Sequence, residues 1–276
     1  MHVHLPTKEY LEDAGGEFHR AAERMFGTSA DPVTPEELIR EYDSCGIEKL
    51  IVLGWDAETG SKLPKVPNEL VAEYVSHYPD RMIGFASVDP LKGVSAVKEL
   101  EHSAKDLGLK GLKLHPIAQA FYPNENRFYA LYEKCVELDL PIIFHTGTTG
   151  WGRALPGGGG AKLDHSNPIY LDPICADFPK LKVIMAHPAF PWVPEQLAVA
   201  VHKQNAFIDL SGWSPKYFDP ALVTHMKKLI PDKFMFGTDY PFLHPAKWLD
   251  AFETLGVSDE VKRKVLRDNA VKVFKL

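Results

Sequence analysis

The chain has little cysteine, no excess of positive charge and no long apolar run, and each shortage removes a class of protein. Three cysteines in 276 residues, Cys45, Cys135 and Cys175, are odd in number, far apart and set in helix-like stretches. They are expected as small buried hydrophobes, not as a disulfide framework. Lysine and arginine number 31 against 37 aspartates and glutamates, a net charge of −6, which leaves no basic footprint for nucleic acid or an anionic lipid surface. No stretch approaches the roughly 18 apolar residues of a membrane span, and no charged then apolar leader marks secretion. A cytoplasmic globule with reduced thiols is the expectation, and a homodimer stays open. The dinucleotide fingerprint GxGxxG is missing too, and the run Gly157 to Gly160 lacks the Lys-Ser/Thr of a phosphate loop, so no nucleotide cradle is expected.

What is present is a rhythm. Hydrophobic residues make up 45% and charged residues 25%, an ordinary globular composition. Short apolar, β-branched runs recur: HVH at the start, then EKLIVLG (48–54), MIGFASV (82–88), LKGLKLH (109–115), LPIIFH (140–145), LKVIMAH (181–187), AFIDLS (206–211) and KFMFGTD (233–239). Amphipathic helix-length segments lie between them, opening on Pro, Asn or Ser-Asp and stopping at Gly or Asn-Pro. Eight alternations predict a parallel sheet covered by helices and closed into a (β/α)8 TIM barrel, a single domain over residues 1–276, with an open doubly wound sheet as the alternative. Residues 5–34, with a helix predicted around Phe18 to Phe26, and residues 146–167, which include GTTGWGRALPGGGG, are too long for plain connectors and are expected to cover substrate.

Side chains two apart on a strand share a face, so His2 and His4 can offer two imidazoles to one point. In a barrel of this kind the active site sits at the carboxyl ends of the strands. Those ends carry His2 and His4, then His115, His145, His187 and Asp239, so five of the twelve histidines close a predicted strand or sit just inside one. Imidazoles converging with one carboxylate suit one divalent ion, Zn²⁺ first and Mn²⁺ as its alternative, with a position open for water.

The set HVH, FHTGT, MAHP and FGTDYP, in this order and on this strand rhythm, resembles the amidohydrolase superfamily. The closer resemblance is to the amidohydrolase-related group that includes aminocarboxymuconate-semialdehyde decarboxylase, and it covers nearly the whole chain. It implies that His2, His4, His145 and Asp239 hold one metal ion while His187 acts in proton transfer or in polarising the substrate. Members usually carry a short run before the first histidine, where here only Met1 stands, so either residues are missing before Met1 or strand one is unusually short.

Alternation in LKGLKLH points Lys113 and His115 one way and Leu112 and Leu114 the other, which sends Lys113 into the barrel. In the binuclear branch of the superfamily such a lysine is carboxylated and bridges two metals; otherwise Lys113 is a cation paired with a carboxylate or substrate. Trp55 and Asp56 after strand two, Tyr122, Arg153 in the long loop and Trp213 after strand seven are further substrate-binding candidates, Arg153 as a clamp for a carboxylate.

Three functions are open. A metal-dependent hydrolase would use metal-activated water on a small carboxylated or aromatic-derived metabolite, with Asp239 and His187 exchanging the proton. A non-oxidative decarboxylase would use the same site as a lyase. A barrel that binds a small molecule without catalysis is the third. Because no second arginine stands obviously at the site end, the expectation leans to hydrolysis.

Overall fold

The computed structural model describes residues 2–276. All eight expected strands form, most of them shorter than their apolar patterns: β1 (His2–His4), β2 (Leu50–Leu53), β3 (Met82–Ser87), β4 (Leu112–Leu114), β5 (Ile142–His145), β6 (Val183–Ala186), β7 (Ala206–Asp209) and β8 (Phe234–Met235). They pair in sequence order, each parallel to the next. The circle closes just past β8. Val3 bridges Tyr240 in parallel, His4 N–H donates to the Tyr240 carbonyl at 2.9 Å, and Asp239 N–H donates to the His2 carbonyl at 2.9 Å. The protein is a (β/α)8 TIM barrel, as the strand rhythm predicts.

Period-two alternation sorts each strand into two cores. Ile51, Leu53, Phe85, Ile143, Ile184, Ala186 and Met235 fill the lumen together with Ala270 and Val273 from the helix Asn269–Phe274, which stops the lower mouth. The alternate residues, among them Val52, Leu112, Leu114, Phe144, Val183 and Ile208, join the larger core beneath the outer helices. A Cβ at Gly111 would stand 2.2 Å from the Phe85 ring, so only glycine lets that ring fill the lumen floor.

The first long connection turns one π-helical stretch, Glu9–Ala14, into helix α1 (Gly16–Phe26), longer at its start than predicted. Helix α2 (Pro35–Ser44) then begins at a Thr34–Glu37 capping box. The second long connection doubles back in short 3₁₀ turns, and its Trp151 stacks on Phe18 of α1 at 4.4 Å and 12°. These two insertions lie over the carboxyl ends of the strands as a roof. Among the described residues no helix is long and apolar enough to cross a membrane.

Candidate metal centre

Alternation along β1 sends Val3 into the outer core and both histidines into the lumen. There His2 Nε2 and His4 Nε2 lie 3.1 and 3.2 Å from the same oxygen, Asp239 Oδ1. The three residues can each bring one ligand atom within 4.8 Å of the others. His187 Nε2 stands 4.0 Å from that oxygen, and the His187 ring lies 5.0 Å from His2 and 4.7 Å from His145. His145 stacks on His115 at 3.9 Å and 17°. The sequence-predicted residues of strands one, four, five, six and eight therefore meet in one buried cluster.

Backbone conformation helps to aim them. His187 and Asp239 follow their strands at φ of +77° and +66°, the left-handed region that costs a non-glycine residue on the order of 1–2 kcal/mol. Each is tied down by its own amide, His187 to the Asp209 carbonyl and Asp239 to the His2 carbonyl, both at 2.9 Å. Gly212, at φ +73°, makes room beside them, since a Cβ there would come within 2.6 Å of His187 Nδ1.

Hydrogen bonds fix which nitrogens carry protons. Asp209 Oδ2 lies 2.6 Å from His2 Nδ1 and accepts from the Ser211 hydroxyl at 2.9 Å. Burial pushes the Asp209 carboxyl up, but the His2 imidazole beside it outweighs that and holds it below the usual carboxylate range. The anionic oxygen can only accept, so His2 Nδ1 donates and Nε2 presents its lone pair to the cluster. His187 Nδ1 lies 3.0 Å from the Ser211 carbonyl, so it too is the protonated nitrogen and Nε2 is free. His115 shows the opposite tautomer: its Nδ1 accepts from the Ala118 amide at 3.1 Å, leaving Nε2–H toward Thr149 Oγ1 at 3.4 Å.

Burial lowers the histidines, His4 and His187 to about 4 and His115 and His145 well below their ordinary value, so these imidazoles are neutral ligands or proton acceptors at neutral pH. Burial pushes Asp239 up, yet the His187 and His2 imidazoles around it hold it well below the carboxylate range. Lys113 is 1% exposed, points into the barrel as alternation predicts, and places Nζ 3.3 Å from His2 Nε2; burial lowers it to about 8. Its hydrogen-bond partner is thus an imidazole where a carboxylate was one expectation.

The donor set fits a metal ion. The His2 Nε2 lone pair faces a carboxylate oxygen at 3.1 Å, an acceptor–acceptor contact that a cation between them relieves. Asp239 Oδ1 and His145 Nε2 are buried without hydrogen-bond partners, an expensive arrangement for atoms with nothing to bind.

A cavity of about 790 Å³ opens above this cluster. Its walls include Tyr10, Phe26, Trp55, Trp151, Trp213 and Phe242, and Lys216 and Lys247 also line it. Trp55 and Trp213 thus stand at the site, as expected from their places after strands two and seven. Tyr122 and Arg153 are not among the lining residues: the Tyr122 hydroxyl donates to Asp164 at 2.6 Å, and Arg153 is exposed on the outer turn of its loop. Asp56 is buried under the β2 end, in contact with Lys92 at 3.0 Å. Sequence reasoning missed Asp209, Ser211 and His19. Asp209 closes β7, so the strand-end rule that found the histidines could have found it.

Compared with known proteins, the chain is matched by the amidohydrolase family Amidohydro_2 over residues 1–276. The chain belongs to this family. Among curated relatives, a gamma-resorcylate decarboxylase from Polaromonas sp. (strain JS666) is 22% identical, aligned over all of this chain and 98% of its own length. Among solved structures, an uncharacterized TIM-barrel protein from Bordetella bronchiseptica is 23% identical, with a TM-score of 0.79 over 99% of this chain and 96% of its own. A dihydroxybenzoic acid decarboxylase from Polaromonas sp. JS666, solved with bound manganese and the inhibitor 2-nitroresorcinol, is 21% identical, with a TM-score of 0.70 over 99% and 95% of the two chains. At these identities the structural likeness carries the fold; the family assignment rests on the full-length family match.

Proposed function

We propose that the protein is a metal-dependent, non-oxidative decarboxylase of a small aromatic carboxylate. The observation that carries this reading is the pairing of an aromatic-walled cavity with a buried cluster of neutral imidazoles and one carboxylate. The walls suit a flat ring, and two of the relatives aligned along nearly the whole chain are named as decarboxylases of aromatic acids. Hydrolysis, the leading expectation from sequence, therefore yields to its lyase alternative. Two exposed lysines, Lys216 and Lys247, also line the cavity, where Arg153 does not.

His2, His4 and Asp239, completed by His145, would hold the ion. Manganese in the related structure favours Mn²⁺ over the Zn²⁺ expected first. When bound, a divalent ion supplies a positive centre for the substrate's carboxylate and a neighbouring oxygen. Loss of carbon dioxide replaces a C–COO⁻ bond by a C–H bond, so the protein must deliver one proton to carbon. His187 suits this transfer as a relay: its Nδ1 proton is committed to the Ser211 carbonyl, and the unprotonated Nε2 would first take up a proton supplied by solvent and then pass it to the ring carbon.

The test is a panel of hydroxybenzoates incubated with manganese-loaded protein in D₂O. The expected outcome is stoichiometric carbon dioxide with one solvent deuterium on the product ring. Turnover that instead places ¹⁸O from labelled water into an acid product, without carbon dioxide, would return the protein to hydrolysis.

A further inference from the structure

Helix α1 shows the cavity a stripe of four residues, His19, Ala22, Met25 and Phe26, in which His19 is the one polar side chain. It is 3% exposed. Its Nδ1 faces Glu23 at 3.9 Å, beyond hydrogen-bond range, and that carboxylate already accepts from the Ala30 amide at 2.8 Å. Its Nε2 is buried and meets no partner. Buried polar atoms without partners are rare, and the imidazole that carries this one lines the cavity. His19 is also well placed for a ligand held at the metal centre. Tyr10 lies flat on His4 at 5.0 Å and 4° and meets His19 edge-on at 5.5 Å, while Phe242 touches both rings, at 6.2 and 5.1 Å. One aromatic ring thus separates His19 from the ligand His4.

We infer that His19 is a specificity residue whose imidazole takes a hydroxyl, or a substituent of like hydrogen-bonding character, on the edge of the aromatic substrate remote from its carboxylate. The inference rests on the aromatic-acid reading above and deepens it. Burial keeps this imidazole neutral, which suits an uncharged substituent. Neither Arg153 nor Tyr122, the loop groups picked out from sequence, lines the cavity to offer such a contact.

Two measurements test it. Calorimetric titration of manganese-loaded protein compares salicylate with 2,4-dihydroxybenzoate, which adds a hydroxyl opposite the carboxylate. Wild type should prefer the second acid by roughly 5- to 20-fold, the worth of one hydrogen bond in a desolvated site. His19→Leu should bind salicylate as wild type does and lose the preference. Thermal melting of the metal-free proteins should show His19→Leu as stable as wild type or more so, because Nε2 has no bond to lose; His19→Met serves if leucine does not fit. A preference retained in the variants, or a large fall in their melting temperature, overturns the inference while leaving the aromatic-acid reading intact. Failure of wild type to bind either acid overturns both.

Discussion

Replacing Asp209 by asparagine tests whether the cluster is built for a metal. The carboxylate is 2% exposed, and its Oδ2 holds the His2 Nδ1 proton at 2.6 Å. Asparagine keeps the shape and can keep the bond from the Ser211 amide to Oδ1, 3.1 Å in the wild type. It brings an NH₂ group to His2, however, and a donor facing Nδ1 favours the tautomer whose proton sits on Nε2. That proton occupies the lone pair that faces Asp239. Disrupting such a carboxylate–histidine pair costs about 10- to 100-fold in metal affinity, or about 1.4–2.7 kcal/mol. Competition against a chromophoric chelator measures the loss directly, with Mn²⁺ and Zn²⁺ in turn. Melting of the metal-free variant should match wild type, and the upward shift on adding metal should shrink correspondingly. Unchanged affinity in Asp209→Asn would refute the assignment of His2 Nε2 as a ligand atom.

Other outcomes separate the roles of the remaining groups. His187→Asn should keep its metal, measured by elemental analysis, and lose about 10²- to 10⁴-fold in kcat on an accepted aromatic acid, whereas His145→Asn should lose metal and activity together. Exchange of those two phenotypes would reverse the assignment. Gly212→Ala should cut kcat at least tenfold, because the new methyl meets His187 Nδ1 in a backbone conformation unfavourable to alanine, while secondary structure by circular dichroism stays intact. Burial pushes the Cys135 thiol up, and that of Cys175 to about 12, so Ellman's reagent should find one thiol, Cys45, in the folded protein and all three in guanidinium.

The barrel was legible because its signal is repetition. Eight apolar runs survive errors in any one of them, and alternation places Lys113 inward without further information. Strand ends were read too far because apolar pattern and ladder pairing are different things. KFMFGTD looks like seven extended residues, yet only Phe234 and Met235 are paired as β8, and the left-handed turn at Asp239 is set by the cluster it serves. The same holds for LKVIMAH, whose last residue turns out of β6 at φ +77°. Loop residues carry no period. Nothing in the sequence distinguishes Arg153, which faces outward, from His19, whose place in the roof depends on how α1 docks against the loop bearing Trp151.

The seam that closes the barrel has a consequence for how the protein acquires its ion. The bonds joining Asp239 and Tyr240 to β1 belong to the residues that hold the cluster, and Thr238 reaches the His2 carbonyl across 236 positions of sequence. A nascent chain therefore carries its two imidazoles through the whole intervening stretch before the carboxylate exists. Ion capture by this set falls late in folding, after contacts across that span of 236 positions have formed. In the finished protein the exit route is the same zipper: fraying of a three-residue strand would release both proposed ligands, His2 and His4, at once, so metal exchange should follow this local opening and outpace unfolding of the whole barrel.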